Sequence, residues 1–299
     1  MTLPIAAVYA IGIWAIAMFG GSPSFFAWPQ MACYVAASYM MVELNNSNAL
    51  LRVRSRMVGA TFIVLSCMYI SGFQSLIGDL GLVGIITTIL LLFSTYQDQQ
   101  AAGKTYYAFL ALGCSSLLYA EYLYYVPLFW VLMISRLNSL SWRTLAASIL
   151  GIITPYWFVS LWLFYIWDFT PLTRHLSDLY SIVFPANYLA LTEEQLLVYI
   201  FLGVVSMTGI IHFWKYSYED RIQVRQLFGF FITVNLLTLL FIALQPQLFD
   251  AFIRIVIICA SPIVAHFMTL THSRITNIAF FVILSTCVII TTINLWMHF

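Results

Sequence analysis

The segment LFDAFIRIVIICASPIVAHFMTLT (248–271) is the clearest guide to the architecture of this chain. It is apolar along most of its length, and Asp250 and Arg254 are its only acidic and basic residues at neutral pH. A helix needs about 20 residues to cross the hydrocarbon core of a bilayer. The segment therefore predicts a membrane-spanning helix, and Pro262 at its centre predicts a kink of the kind that membrane helices tolerate.

Similar segments occur along the whole chain, which is 63% hydrophobic and only 8% charged, whereas soluble domains are about half apolar. The further predicted spans are 3–19, 27–42, 57–71, 80–95, 105–120, 124–138, 142–167, 196–214, 227–245 and 276–297. We predict an all-α, polytopic helical transmembrane bundle of about eleven spans, with residues 1–299 forming a single integral membrane domain. Nine spans is the alternative if 57–95 or 105–138 is a shallow hairpin, because removing a hairpin takes out two crossings. Segment 3–19 lacks a basic region and a cleavage site, so we expect a retained span.

The basic residues are distributed unevenly between the predicted loops. If the spans alternate in direction, one set of loops holds every lysine and arginine except Arg174 and Arg254. These residues are Arg52, Arg54, Arg56, Lys104, Arg136, Arg143, Lys215, Arg221, Arg225 and Arg274. Positive residues are enriched on the cytoplasmic side, so we predict a cytoplasmic N-terminus and a periplasmic C-terminus. The arginines of loop 43–56 are interpreted mainly as a topology anchor beside anionic lipid, and a dedicated phosphate site is the alternative.

The long loop 168–195 contains an amphipathic pattern. In TPLTRHLSDLYSIVFP (170–185), leucine and valine recur at helical spacing between two prolines. We predict an amphipathic helix over 171–184 on the outer membrane surface. The following TEEQ (192–195) is typical of a capping box, in which Thr192 and Gln195 begin the next span.

Two groups of residues are candidates for chemistry. Asp250 and Arg254 are four residues apart and share a helix face; ionisable residues inside a membrane are often functional, although a self-solvating pair explains them equally well. Arg174, His175 and Asp178 share the predicted surface helix. Arginine suits phosphate binding and histidine or aspartate can act as a general base, while the alternative for this group is a solvated helix face.

Other classes of function have little support in the sequence. The formal net charge of +1 provides no bulk attraction for nucleic acid. His212 and His266 lack metal-binding spacing, and the five cysteines lie in apolar segments without a CxxC motif. No metal or cofactor is therefore expected. Gly78, Gly81 and Gly84 predict close packing of the fourth span.

Four blocks of sequence resemble a family of multi-spanning inner-membrane proteins of Bacteroidota, a domain of unknown function. They are ELNNSNALLRVRSRM (43–57), LLLFSTYQ (90–97), YYAFLALG (106–113) and ASILGIITPYW (147–157). The likeness covers roughly 40–165 and implies the inner membrane of a Gram-negative bacterium, with no established activity.

The layout of many spans, interrupted helices and an outward working face is similar to membrane glycosyltransferases that use lipid-linked sugars. The ligase and polymerase branch of those enzymes uses arginine and histidine in an outer loop, and Arg174 and His175 resemble that arrangement. The leading hypothesis is transfer or polymerisation of polyprenyl-linked sugars at the periplasmic face. Arg174 and Arg254 would neutralise the lipid diphosphate, with Asp250 beside Arg254. Asp178 or His175 would deprotonate the acceptor.

Two other classes of function stay open at this point. A transporter or flippase would use the proline-containing spans 142–167 and 248–271 to line its path, and a non-enzymatic scaffold would belong to an envelope complex. Membrane lipids are the expected partners for all three classes of function. A polyprenyl-linked sugar is an additional partner for the glycosyltransferase.

Overall fold

A computed structural model describes residues 2–19, 27–53, 55–177, 179, 191–269 and 274–297. Within these ranges the chain is all-helical and contains no strand, which confirms the predicted fold class. The α-helices are α1 (Thr2–Phe19), α2 (Ala27–Asn48), α3 (Met57–Cys67), α4 (Leu76–Phe93), α5 (Ala102–Ser116), α6 (Tyr125–Ser135), α7 (Trp142–Ile166), α8 (Thr170–Ser177), α9 (Glu193–Tyr216), α10 (Ile222–Leu244), α11 (Phe249–Thr269) and α12 (Arg274–Met297). Short 3-10 helices precede α4, α6, α10 and α11.

Six helical segments in the described part of the chain are long and apolar enough to cross a membrane. They are Leu76–Phe93, Trp142–Ile166, Glu193–Glu219, Ile222–Leu244, Pro246–Thr269 and Asn277–Met297. Shorter apolar helices cover Thr2–Ala17, Met57–Cys67 and Ala120–Ser135. This composition is that of a multi-pass membrane protein, while the count of eleven spans and the orientation stay predictions.

The outward surface of the long helix α7 shows why this fold suits a bilayer. Large aromatic side chains on it are exposed, including Trp157, Trp162 and Tyr165. In water such a continuous apolar surface would favour aggregation or association, whereas in a bilayer it contacts lipid, and tryptophan and tyrosine suit the interfacial region.

The helices form two compact units, which are described separately. The first comprises Met1–Asp79 and Asn187–Phe299, and the second comprises Leu80–Ala186. The prediction of a single integral membrane domain is not tested by this division and stays a prediction.

Helix α11 is the central element of the first unit. Nearly all of its residues are buried, as expected of an apolar helix enclosed by other helices. It packs against α3, α9 and α10. Gly209 of α9 allows a close approach, since a Cβ atom there would lie 2.7 Å from Ile263 of α11.

The second unit is built mainly on the packing of α5 against α7. Gly151 of α7 permits this contact, because a Cβ atom at that position would lie 2.6 Å from the carbonyl oxygen of Tyr106. Ser141 and Thr144 form a capping box at the start of α7, in which the amide of Thr144 donates to Ser141 Oγ at 3.3 Å. This cap satisfies backbone donors that the first turn of a helix leaves unpaired.

The first half of the predicted segment 171–184 is helical, as expected, while its place on the outer membrane surface stays a prediction. Helix α8 covers Thr170–Ser177 and has no buried residue. Asp168 Oδ1 accepts a hydrogen bond from the amide of Thr170 at 3.0 Å, so an aspartate before the helix satisfies its first amide. The remainder of the predicted segment, including Asp178, lies outside the described residues apart from Leu179.

Candidate functional site

Helix α11 carries ionisable side chains near both of its ends. Arg254 lies near the beginning of the helix and His266 near its end, roughly 18 Å apart at 1.5 Å of rise per residue. Both side chains are buried. We call their surroundings the Arg254 cluster (Arg254, Asp79 and Gly72) and the Asp220 cluster (Asp220, His266 and Arg52). All of these residues belong to the first unit.

In the Arg254 cluster a buried ion pair joins α11 to the first turn of α4. Arg254 Nη1 donates to Asp79 Oδ1 at 2.5 Å, and Nη2 donates to the carbonyl oxygen of Gly72 at 2.9 Å. The arginine side chain is 7% exposed and the aspartate 5%. Arg254 therefore points into the interior of the first unit.

This ion pair is incompletely satisfied. Arg254 Nε and Asp79 Oδ2 are both buried, and neither has a hydrogen-bond partner among the residues that the structure describes. An arginine and a carboxylate can instead form two parallel hydrogen bonds, which is the stronger arrangement. Because an unpaired atom of a buried charged group is costly, this site calls for an explanation beyond packing.

Gly78 packs directly against the guanidinium of Arg254. A Cβ atom at Gly78 would lie 2.3 Å from Arg254 Cζ and from Nη2, which is far inside van der Waals contact. The amide of Gly78 donates to Ser75 Oγ at 3.1 Å, so Ser75 caps the beginning of α4. The spacing of Gly78, Gly81 and Gly84 predicts close packing of this helix. At Gly78 the group that packs closely is the side chain of Arg254.

Asp250 does not pair with Arg254, which corrects the interpretation of the two as an ion pair. Its Oδ1 accepts a hydrogen bond from the hydroxyl of Tyr69 and another from Gln195 Nε2 at 3.2 Å. Gln195 also forms the predicted capping box with Thr192, which is confirmed at the start of α9. Helical spacing alone could not identify Asp79 as the arginine's partner, because it is distant in sequence.

Glu194 is a buried carboxylate that sequence reasoning missed. Its Oε1 accepts from the amides of Ile70 and Ser71 at 2.9 and 3.2 Å, and its Oε2 accepts from the Ser71 hydroxyl. It therefore satisfies the first amides of the 3-10 helix Ile70–Gln74, which leads into α4. Nothing in the sequence separates it from Glu193, which also lies in the first turn of α9.

The Asp220 cluster uses both oxygens of its carboxylate. Arg52 Nε donates to Asp220 Oδ1 at 2.5 Å, and His266 Nε2 donates to Oδ2 at 3.1 Å. Arg52 also contacts Glu219 and donates to the carbonyl oxygen of Tyr216 at 3.0 Å. Burial opposes ionisation of Asp220, but the hydrogen bonds from His266 and Arg52 outweigh it and hold the pKa of this carboxyl below its usual value. One arginine of loop 43–56 therefore ties two loops together.

His266 of the Asp220 cluster and the neighbouring His212 are packed among aromatic rings. The ring of His266 lies 5.9 Å from that of His212 and 5.0 Å from that of Phe228. The Nδ1 atoms of His212 and His266 are buried and have no hydrogen-bond partner in the ranges that the structure describes. Within the described residues, no group of three histidine, cysteine or acidic side chains is arranged to hold a metal ion.

In the second unit, helix α8 holds two of the predicted site residues. His175 Nε2 lies 2.8 Å from the carbonyl oxygen of Ser116, and because a carbonyl oxygen only accepts, this nitrogen donates the hydrogen bond. Arg174 is exposed, and Asp178 lies outside the described residues. The catalytic and phosphate-binding roles expected of these three residues stay predictions.

Comparison of the chain with protein-family models, with curated proteins and with solved structures finds no match. The chemistry of the Arg254 and Asp220 clusters is therefore the basis for a proposed function.

Proposed function

We propose that this protein transfers sugars from a polyprenyl diphosphate carrier at the periplasmic face of a bacterial inner membrane, with Arg254 as the residue that binds the diphosphate. The proposal keeps the enzyme class that the sequence favours and assigns its anion-binding site to the Arg254 cluster. The carboxylate beside Arg254 is that of Asp79, whereas the sequence favoured Asp250 for this position.

One observation carries this proposal, namely the unpaired charged atoms of the Arg254–Asp79 pair. Both groups are buried, yet within the described part of the chain Arg254 Nε and Asp79 Oδ2 have no hydrogen-bond partner. A diphosphate offers several oxygens and more negative charge than one carboxylate, so it would use more of the arginine's five donors. The pair is thus a weak internal substitute for a stronger anion, and the lipid diphosphate would displace Asp79.

Displacement of Asp79 by the diphosphate would also provide the two side chains that sugar transfer needs, Arg254 and Asp79. The acceptor hydroxyl attacks the anomeric carbon, the bond from that carbon to the diphosphate oxygen breaks, and the polyprenyl diphosphate leaves with the bonding electrons. Arg254 stabilises the negative charge of this leaving group. Asp79, released from the arginine, accepts the proton of the acceptor hydroxyl.

The predicted grouping of loops onto two sides is supported by which residues meet within the first unit. Asp250 accepts hydrogen bonds from Tyr69 and Gln195, and all three come from segments predicted to face the periplasm. Arg52 and Asp220 come from loops predicted to be cytoplasmic, and they also form a contact. The excess of lysine and arginine in the second set of loops is the reason that we propose the N-in arrangement.

Cysteine labelling tests this orientation. In a variant without native cysteines, Ser47→Cys should stay unlabelled by an impermeant maleimide in intact spheroplasts and become labelled after lysis. A cysteine at Glu193, in the exposed first turn of α9, is the matched control and should react without lysis. Labelling of position 47 from outside would reverse the orientation and move the Arg254 cluster to the cytoplasmic face.

The test of function measures binding and turnover separately. Purified protein in lipid nanodiscs is given a labelled polyprenyl diphosphate sugar, with the neutral polyprenol as the reference ligand. We expect wild-type protein to prefer the diphosphate, and the Arg254→Leu/Asp79→Leu protein to remain folded without that preference, since apolar replacement of both members of a buried pair is often tolerated. Arg225→Leu, which removes an exposed arginine of α10, is the control.

The outcomes separate the classes of function. Diphosphate binding with sugar transfer to an added acceptor supports the proposal. Diphosphate binding with movement across the bilayer, and no transfer, replaces it with a flippase. Wild-type binding by the folded double variant overturns the role of Arg254, and no binding by any protein leaves the scaffold as the better interpretation.

A further inference from the structure

An apolar groove runs between α1 and α2 in the first unit, with a volume of about 430 Å³. We call it the α1–α2 groove, and its apolar lining includes Leu3, Ala7, Trp14, Met31, Tyr39 and Val42. From Leu3 to Trp14 the groove extends roughly 16 Å along α1 at 1.5 Å per residue. That length matches about half of a 30 Å hydrocarbon core, so the groove has the length of an acyl chain in one leaflet.

One end of the groove is polar. Glu43, Asn46 and Arg56 line it there, and a polar pocket of about 660 Å³ also has Asn46 and Arg56 among its lining residues. Asn45 lines the same pocket. A single path lined first by apolar and then by polar side chains fits an amphiphile better than a fully apolar molecule.

The polar end combines two opposite charges that are available for a ligand. Arg56 and Glu43 are both exposed, and among the described residues neither takes part in an ion pair. Asn45 adds a second sign of a ligand. It is 5% exposed, its Nδ2 donates to the carbonyl oxygen of Ser55 at 2.8 Å, and its Oδ1 has no hydrogen-bond partner among the described residues.

A second groove of the first unit provides an internal contrast. It has a volume of about 350 Å³, lies on the other side of α1 against α3, α11 and α12, and has no charged residue in its lining. Such a surface can be covered by any lipid chain. The charged end is what distinguishes the α1–α2 groove.

We propose that the α1–α2 groove binds one phospholipid with an ethanolamine headgroup. One acyl chain occupies the groove, the phosphate contacts Arg56 and the ammonium group contacts Glu43. A headgroup with both charges complements this arginine and this glutamate, whereas a purely anionic headgroup would face repulsion from Glu43. This site is independent of the diphosphate binding proposed for Arg254, and failure of one proposal does not affect the other.

The test is competitive lipid retention. Protein is exchanged into mixed micelles with equal amounts of phosphatidylethanolamine and phosphatidylglycerol, and native mass spectrometry counts the lipid that remains bound to each variant. In wild-type protein we expect one retained phosphatidylethanolamine. In Arg56→Gln its retention should fall by about tenfold, the size expected for losing a hydrogen bond to a charged group. In Glu43→Gln the preference over phosphatidylglycerol should disappear while total retention persists.

A steric pair of variants tests the acyl chain. Ala7→Trp fills the groove and should abolish retention, whereas Val8→Trp places the same side chain on the 71% exposed neighbouring position and should leave retention unchanged. Thermal unfolding of each variant confirms that it is folded. Preference for phosphatidylglycerol in wild-type protein, equal retention in Ala7→Trp and Val8→Trp, or retention unchanged in Arg56→Gln would each overturn the proposal.

Discussion

The two ends of α11 hold buried charge in different ways. In the Asp220 cluster each carboxylate oxygen has its own donor, Arg52 or His266. In the Arg254 cluster the carboxylate uses one oxygen, and Nε of the guanidinium has no partner among the described residues. The unpaired buried atom of the Asp220 cluster, in that same part of the chain, is Nδ1 of the His266 imidazole, whereas those of the Arg254 cluster belong to a guanidinium and a carboxylate.

Solvent access sharpens this difference. The Arg52 side chain is 29% exposed and the Arg254 side chain 7%. Water can therefore replace a lost partner of Arg52 but not one of Arg254, and the penalty for an unpaired charge rises with burial. The Asp220 cluster is explained as a clamp between loops. The Arg254 cluster keeps unsatisfied charge at higher cost, which is typical of a binding site.

The largest expected effect comes from breaking the Arg254 pair on one side only. Arg254→Leu leaves Asp79 buried without its cation and should reduce the free energy of unfolding by about 3–5 kcal/mol. Arg254→Leu/Asp79→Leu should recover most of that loss. Denaturant unfolding in detergent, followed by tryptophan fluorescence, measures both. If the double variant is as unstable as the single one, the pair is required for folding and the contrast between the clusters disappears.

A smaller loss of stability is expected at Gly78, which packs against the guanidinium of Arg254. In Gly78→Ala the new methyl group would overlap Arg254, so we expect a loss of about 1–3 kcal/mol, as for other overpacked sites. Gly12→Ala in α1 is the control. No atom lies within 4 Å of a Cβ there, and alanine should stabilise the helix by about 0.5–1 kcal/mol. Equal melting temperatures for the two variants would show that the guanidinium moves away at no cost.

Removing the carboxylate of the Asp220 cluster should cost less than removing Arg254. In Asp220→Ala the arginine turns to water and the buried His266 loses one hydrogen bond, so we expect a loss of about 1–3 kcal/mol. The same unfolding measurement compares the two variants directly. A loss at Asp220 that exceeds the loss in Arg254→Leu would reverse the assignment of clamp and binding site.

The smallest effect is expected for Arg52, the half-buried member of the clamp. Arg52→Gln should cost about 0.5–1 kcal/mol at low ionic strength, since partly exposed ion pairs contribute little, and less in concentrated salt, which screens them. Melting temperatures of wild-type and variant protein at two salt concentrations measure this. The stability difference in Arg254→Leu should be insensitive to salt, and a matching salt dependence would mean that Arg254 is accessible to water.

Hydropathy was sufficient for the fold class and for individual local features. Apolar runs of membrane length predict the helices, and the helix over Thr170–Ser177 and the capping box of Thr192 with Gln195 were found where the sequence predicts them. These features depend on residues close together in the chain, where spacing fixes geometry. The burial of Arg254 also follows from its place inside an apolar run.

The partners of the buried charges came only from packing. Asp79 meets Arg254, and Asp220 meets both Arg52 and His266, across long stretches of sequence. Helical spacing favoured Asp250 for Arg254 because the two share a helix face, but a helix specifies only which side chains lie on that face. Which segment supplies the counter-charge depends on the tertiary contacts within the first unit that bring Asp79 to Arg254, and a single sequence contains no local signal for that choice.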